Sequence, residues 1–167
     1  ISSPYVMCVA VSSLNSGNKF SKVYAGTEPS ALYISDDGGD SWERMETLNR
    51  LSSSRSWSFP PRPWTHHIRW IEPDSNNSDY VFAAIEAGAL VQSHDGGKTW
   101  IDRNEQGPYD THTLVTHPKA PKRLYSSAGD GYFESFDYGE SWIRSMEDLR
   151  HSYLNGLAVD SGNPEVV

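Results

Sequence analysis

The sequence predicts an all-β chain built from repeats of a four-stranded antiparallel unit, and three observations predict it. The first is a pattern held three times. Ser35-Asp36-Asp37-Gly38-Gly39-Asp40-Ser41-Trp42 recurs as Ser93-His94-Asp95-Gly96-Gly97-Lys98-Thr99-Trp100 and again as Ser135-Phe136-Asp137-Tyr138-Gly139-Glu140-Ser141-Trp142. The rule Ser-x-Asp-x-Gly-x-Ser/Thr-Trp specifies five positions, so the chain is a repeat protein. The second is composition: six Trp and nine Tyr stand beside 13 Gly and 10 Pro, the mix that short strands and tight turns require. The third is that the apolar runs are short, rich in β-formers and bounded by Gly, Pro, Asn and Asp, with no sustained helical period.

Each repeat reads as four strands. An upstream class comprises Tyr5 to Val11, His67 to Glu72, and His112 to His117. The second class is Val23-Gly26, Val81-Ala84 and Leu124-Ser127; the third is Leu32-Ser35, Leu90-Ser93 and Tyr132-Ser135. A Trp-led strand closes each unit at Trp42-Arg44, Trp100-Arg103 and Trp142-Arg144. Asp37 to Asp95 is 58 residues and Asp95 to Asp137 is 42. The shorter spacing matches a four-stranded β-propeller blade of roughly 40–50 residues. The longer one carries an insertion, assigned to residues 48–63, whose Ser, Pro and Arg content predicts a long surface loop. The expected organisation is one partial propeller domain over 1–167: blade 1 about 5–47, the insertion, blade 2 about 64–105, blade 3 about 108–147, and the start of a further blade at 150–167.

Turn physics explains the motif. Gly at its fifth position supplies a positive φ, Asp accepts from backbone N–H groups of the same turn, the hydroxyl serves a neighbouring backbone group, and Trp sets an apolar face between adjacent sheets. All of these roles are structural.

The motif resembles the Asp-box, or bacterial neuraminidase repeat, of sialidase-like β-propellers, and the resemblance covers nearly the whole chain. Sialidases, endoglucanases that cleave xyloglucan, sortilin-type receptors and photosystem II assembly-factor propellers share it. The resemblance implies that the box lies on the hairpin between a blade's third and fourth strands, away from the site face. It implies that Asp37, Gly39, Ser41 and Trp42, then Asp95, Gly97, Thr99 and Trp100, then Asp137, Gly139, Ser141 and Trp142, are fold determinants. It names a fold, which does not fix a function.

Propellers close a ring of about 4–8 blades. Three blades and the start of a fourth leave open faces and unpaired edges, so the chain is expected either to belong to a longer propeller or to self-associate until the ring is complete.

Charge narrows the partners. A net charge of -8 with no basic stripe argues against nucleic acid and anionic membrane surfaces. No apolar stretch approaches a membrane span. Cys8 is the single cysteine, so it forms no intrachain disulfide, and it reads as a small buried hydrophobe. No cofactor motif is legible, and the compartment is unassigned.

In a propeller the innermost strands line the channel. Here the segments leading into them are polar: 62–70, 107–112 and 150–155. They nominate His66, His67, Arg69, Asp110, His112, Arg150, His151 and Tyr153 as a site at the channel mouth for an anionic or polyhydroxylated ligand. Arg69 stands where the other repeats place Leu114 and Leu157, and an Arg on an otherwise apolar strand calls for a carboxylate or a ligand. Glu86 and Asp130 fall on loops of the same face. The same residues equally suit hydrogen bonding between blades around a wet channel. The sequence assigns no metal site, and a divalent-metal set from His66, His67 and His112 is the weaker alternative.

No residue can be given a sialidase's arginine triad, nucleophile or acid, so no catalytic residues are assigned. The reading is a non-catalytic module that binds protein or carbohydrate. The alternative is part of a sialidase-like or other glycoside hydrolase, which needs two carboxylates at a set separation.

Overall fold

The computed structural model describes residues 5–14, 17 and 19–167. It is all-β, with three antiparallel sheets. The first carries β1 (Tyr5–Val11), β2 (Val23–Glu28), β3 (Leu32–Ser35) and β4 (Glu43–Arg44) in that order. The second holds β5 (Ile68–Pro73), β6 (Val81–Ile85) and β7 (Ala89–Ser93); the third holds β8 (Thr111–His117), β9 (Ala120–Ala128), β10 (Gly131–Ser135) and β11 (Ile143–Ser145). The upstream strands β1, β5 and β8 lie side by side, so the sheets are arrayed in propeller-like fashion. Beyond β8, the segment from Leu154 to Asp160 runs alongside in the same direction: His112 Nδ1 donates to the Leu154 carbonyl and His117 Nε2 to that of Asp160. It carries no strand assignment.

Apolar faces between consecutive sheets make the core. Tyr24, Leu32 and Ile34 of the first sheet meet Ile71, Val81, Ala83, Val91 and Trp100 of the second unit. Phe82, Ala84 and Leu90 meet Leu114 and Leu124 across the next junction, with Trp142 packed against them. Trp42, by contrast, packs on Ala25, Ala31 and Tyr33 of its own sheet. At Gly26 the first two sheets approach closely, since a Cβ there would meet Cys8 Sγ and Ile68 Cβ at 2.7 Å. Cys8 is half-buried in the same seam; its thiol donates to the Ile68 carbonyl, and burial pushes its pKa up to about 12. Half-buried Glu72 spans the next seam, accepting from the Thr116 amide at 3.0 Å and the Thr116 hydroxyl at 3.1 Å.

Two expectations are corrected here. The 48–63 insertion is not simply a surface loop. It folds into 3-10 turns at Leu48–Arg50 and Ser52–Ser56, and both Leu48 and Trp57 enter the core. An apolar residue near each end lets so long a segment fold back onto the sheets. The strand expected at Trp100-Arg103 reduces to an isolated bridge between Gln92 and Ile101. Asp102 there accepts from the Ser52 hydroxyl and the Ser53 amide of the insertion, so this segment is tied to the loop as well as to its sheet.

The repeated turns are near copies of one another. Each connects a third strand to a Trp-led segment, and in each the serine amide-capping pattern is the same: Gly39, Gly97 and Gly139 donate their N–H to Ser35, Ser93 and Ser135 Oγ at 2.8, 2.8 and 2.7 Å. The Ser41, Thr99 and Ser141 amides donate to the aspartate Oδ1 at 2.9, 2.8 and 2.9 Å, and their hydroxyls to Oδ2. Each Trp Nε1 then closes the turn onto the glycine carbonyl. The glycines have φ of 100°, 94° and 86°. The residue before each is also left-handed, at 81° for Gly38, 73° for Gly96 and 62° for Tyr138. A non-glycine residue there is strained, and the stack of the Tyr138 ring on Tyr80, 4.0 Å between centroids, offsets the strain.

Candidate functional site

Strand register sets the turns and the candidate site at opposite ends of the sheets. Across β5–β6–β7, Pro73 pairs with Val81 and Val81 with Ser93, where the turn begins; Ile68 pairs with Ile85 at the other end. Likewise Tyr5 pairs with Glu28 while Val23 pairs with Ser35. The lead-in residues of β5 and β8 therefore meet the hairpins that join the second strand to the third.

Acids stand at or beside those hairpins: Glu28 ends β2, Glu86 follows β6, and Asp130 lies two residues after β9. Histidines from the inner strands fit between them. Buried His67 places Nε2 2.6 Å from Glu86 Oε2 and Nδ1 3.5 Å from Glu28 Oε2. Glu28 is gripped in turn by Arg62 of the insertion at 2.8 Å. Arg69 Nη1 reaches Glu86 Oε2 at 3.5 Å, which supplies the carboxylate that an Arg on this strand requires. His112, 2% exposed, directs Nε2 toward Asp110 Oδ2 at 3.5 Å and Glu86 Oε1 at 4.0 Å.

The acids are themselves held. Asp110 Oδ1 accepts from the Ala87 amide at 2.8 Å, and Ala87 adopts φ 48° to present it. The Asp110 and Tyr109 amides donate to Asp130 at 3.3 and 3.4 Å. Gly129 packs so closely that a Cβ would lie 2.2 Å from Asp110 Oδ2, so a larger residue there would displace the Asp110 carboxylate. The His112 ring also faces Tyr153, centroids 5.1 Å apart.

Five of the nominated residues thus converge: His67, Arg69, Asp110, His112 and Tyr153. His66 turns to the insertion, edge-on to Trp57 at 5.7 Å between centroids; burial, then the neighbouring His67, lowers its pKa. Arg150 and His151 are exposed on the segment that leads to Tyr153. His66, His67 and His112 do not form a metal-ligand set. Among the described residues, the cluster whose ligating atoms all lie within 4.8 Å of one another is Glu86, Asp110 and His112. Glu28 was missed from the sequence, although its repeat position, equivalent to that of Glu86, was the signal that marks it.

The class this architecture defines is an all-β, propeller-like protein with an acid–histidine cluster at one end of its inner strands. Three solved structures share that fold. An ancestral GH74 enzyme matches with a TM-score of 0.58 and 21% identity over 84% of this chain and 18% of its own. The GH74 enzyme of Niastella koreensis matches at 0.57 and 17%, over 83% and 22% of the two chains. The GH74 xyloglucanase of Xanthomonas campestris matches at 0.61 and 18%, over 85% and 21%. This chain thus spans about a fifth of each matched chain's length. No family model matches the sequence, and no curated protein matches it.

Proposed function

We propose that this chain is a segment of an Asp-box β-propeller that binds a carbohydrate, without catalysis, through the lead-in end of its inner strands. The observation that carries this reading is the Glu86–Asp110–His112 cluster beside exposed aromatic side chains. Carboxylates and imidazole offer hydrogen-bond partners to hydroxyl groups. Tyr153, 58% exposed, offers a flat apolar face next to them. Trp64, 81% exposed on the segment leading into β5, is a second such surface. Arg69 and Arg150 suit an acidic sugar. The likeness to glycoside hydrolases favours a saccharide over a protein as the ligand class.

A glycan array combined with a hydrolysis screen tests this. Binding without turnover, lost at least about tenfold in Arg69→Ala and Tyr153→Ala while thermal stability holds, is the expected result. Both side chains are exposed, so a loss of binding accompanied by a loss of stability refutes the assignment. Turnover supports the second reading, a fragment of a glycoside hydrolase, which the same structural neighbours favour. Glu86 and Asp110 are then the acid pair to test, since glycosidases work with two carboxylates. Capture of a protein with no glycan bound overturns the carbohydrate reading.

The chain also carries surfaces that suit self-association. Tyr5, Val6, Met7, Val9 and Val11 of β1 are all exposed. Further blades, from a longer chain or from a second copy, bury this stripe. A monomer in size-exclusion chromatography at high concentration contradicts association of this chain with itself.

A further inference from the structure

We propose that Glu86, Asp110 and His112 form a binding site for a divalent transition-metal ion of the Zn²⁺ type. The proposal concerns the same cluster as the carbohydrate reading but needs no saccharide, because it rests on three ligating atoms that lie within 4.8 Å of one another. His112 Nδ1 lies 2.6 Å from the Leu154 carbonyl oxygen. A carbonyl only accepts, so Nδ1 carries a proton and is committed outward, and Nε2 is the ring atom that faces the acids. That nitrogen is buried and has no hydrogen-bond partner. It faces Asp110 Oδ2 at 3.5 Å and Glu86 Oε1 at 4.0 Å, both of them acceptors. Two carboxylate oxygens converging on one buried nitrogen repel one another unless a positive charge sits between them.

Geometry fits an ion. Zn²⁺ ligands at about 2.1 Å with tetrahedral angles stand about 3.4 Å apart, so the observed separations close onto one centre with small side-chain movements. One imidazole nitrogen and two carboxylate oxygens form a ligand set of the kind Zn²⁺ accepts, and the pair of acids balances the ion's charge.

The outer atoms of all three groups are already committed, as they are around metal ligands. His112 Nδ1–H holds the Leu154 carbonyl. Asp110 Oδ1 holds the Ala87 amide at 2.8 Å. Glu86 Oε2 is met by His67 Nε2 at 2.6 Å. Each ligand therefore presents one free donor atom inward and is oriented through the other. Asp110 remains 23% and Glu86 13% exposed at the side chain, so a fourth position is reachable from solvent.

The test is Zn²⁺ titration of chelator-treated full chain by calorimetry, without saccharide, compared with Asp110→Asn. Asn keeps the Oδ1 that accepts from Ala87 and removes the inward charge. One Zn²⁺ per chain is expected, with affinity weakened at least about tenfold in the variant and unchanged in Glu165→Gln at the remote edge. If Asp110→Asn does not fold, ¹⁵N NMR of histidine in the unsubstituted protein decides: Zn²⁺ is expected to shift His112 Nε2. Absence of zinc binding, binding undiminished in folded Asp110→Asn, or a His112 signal unmoved by zinc (the ring then being an imidazolium, with a proton in place of the metal) overturns the proposal.

Discussion

At one end of the sheets the turns that begin at Ser35, Ser93 and Ser135 repeat nearly bond for bond; at the other, the residues around His67 and His112 share a plan and differ in every detail. In the turns each hydrogen-bonding atom of the aspartate has a partner within five residues along the chain. At the lead-in end the partners come from far apart in sequence: Glu28 with Arg62, His67 with Glu86, His112 with Leu154. The turns satisfy themselves, so they recur wherever the fold recurs. The lead-in end leaves buried nitrogens of His66, His67 and His112 unpaired, and atoms of that kind concentrate where a ligand or ion is bound. Repetition marks structure here, and departure from it marks the candidate site.

The contrast can be broken at the turns first. Gly97→Val is expected to cost about 2–4 kcal/mol, because φ of 94° is strained for any side chain and even a Cβ would lie 2.9 Å from Ile34 Cδ1. Chemical denaturation measures it, and a change below about 1 kcal/mol contradicts the account of the turn.

Ser93→Ala is expected to cost about 1–2 kcal/mol, since buried Ser93 Oγ accepts from the Gly97 amide and donates to Asp95. Ligand binding at the far end of the sheet should not change.

Acid provides a smaller, graded test. At Asp37 the Ser41 hydroxyl and amide, then the Ser35 hydroxyl, hold the carboxyl well below the usual range. At Asp95 and Asp137 partial burial pushes upward, but hydrogen bonds from Thr99 and Ser93, and from Ser141 and Ser135, outweigh it. Folded carboxylates that stay ionised while their unfolded counterparts bind protons near pH 4 lend stability that is present above that pH. Melting temperature should therefore fall as pH drops below about 4, and the fall should shrink in Asp95→Asn.

The smallest stability effect is expected at the other end. Arg69→Ala removes an exposed side chain from Glu86 and should shift stability by less than about 1 kcal/mol while weakening saccharide binding. Equal losses of stability and binding would erase the distinction between the two ends.

Much of the architecture was legible because it is local. Most of the strands, the third-to-fourth-strand position of the turns and the roles of the motif's Asp, Gly and Ser/Thr follow from alternation, glycine and short-range hydrogen bonding. The leading Ser's grip on the Gly amide and Trp42's packing on its own sheet do not. Even there, the second left-handed residue was hidden, since Tyr138 does not advertise a positive φ as Gly38 and Gly96 do. The insertion was misread in part because its Ser and Pro content outweighs Leu48 and Trp57, and only packing shows those two in the core.

The candidate site was half legible. Polar residues on lead-in segments singled out His67, Arg69, Asp110, His112 and Tyr153, but the same signal also marked His66, which turns to the insertion, and the exposed Arg150 and His151. What the sequence alone determined is the repeat, the all-β class and the identity of the turns, because those depend on residues a few positions apart. Which acid meets which histidine, and that His112 Nε2 stands without a hydrogen-bond partner between two carboxylates, only the tertiary structure decided. Those contacts join strands tens of residues apart, and no local pattern encodes the distance between them.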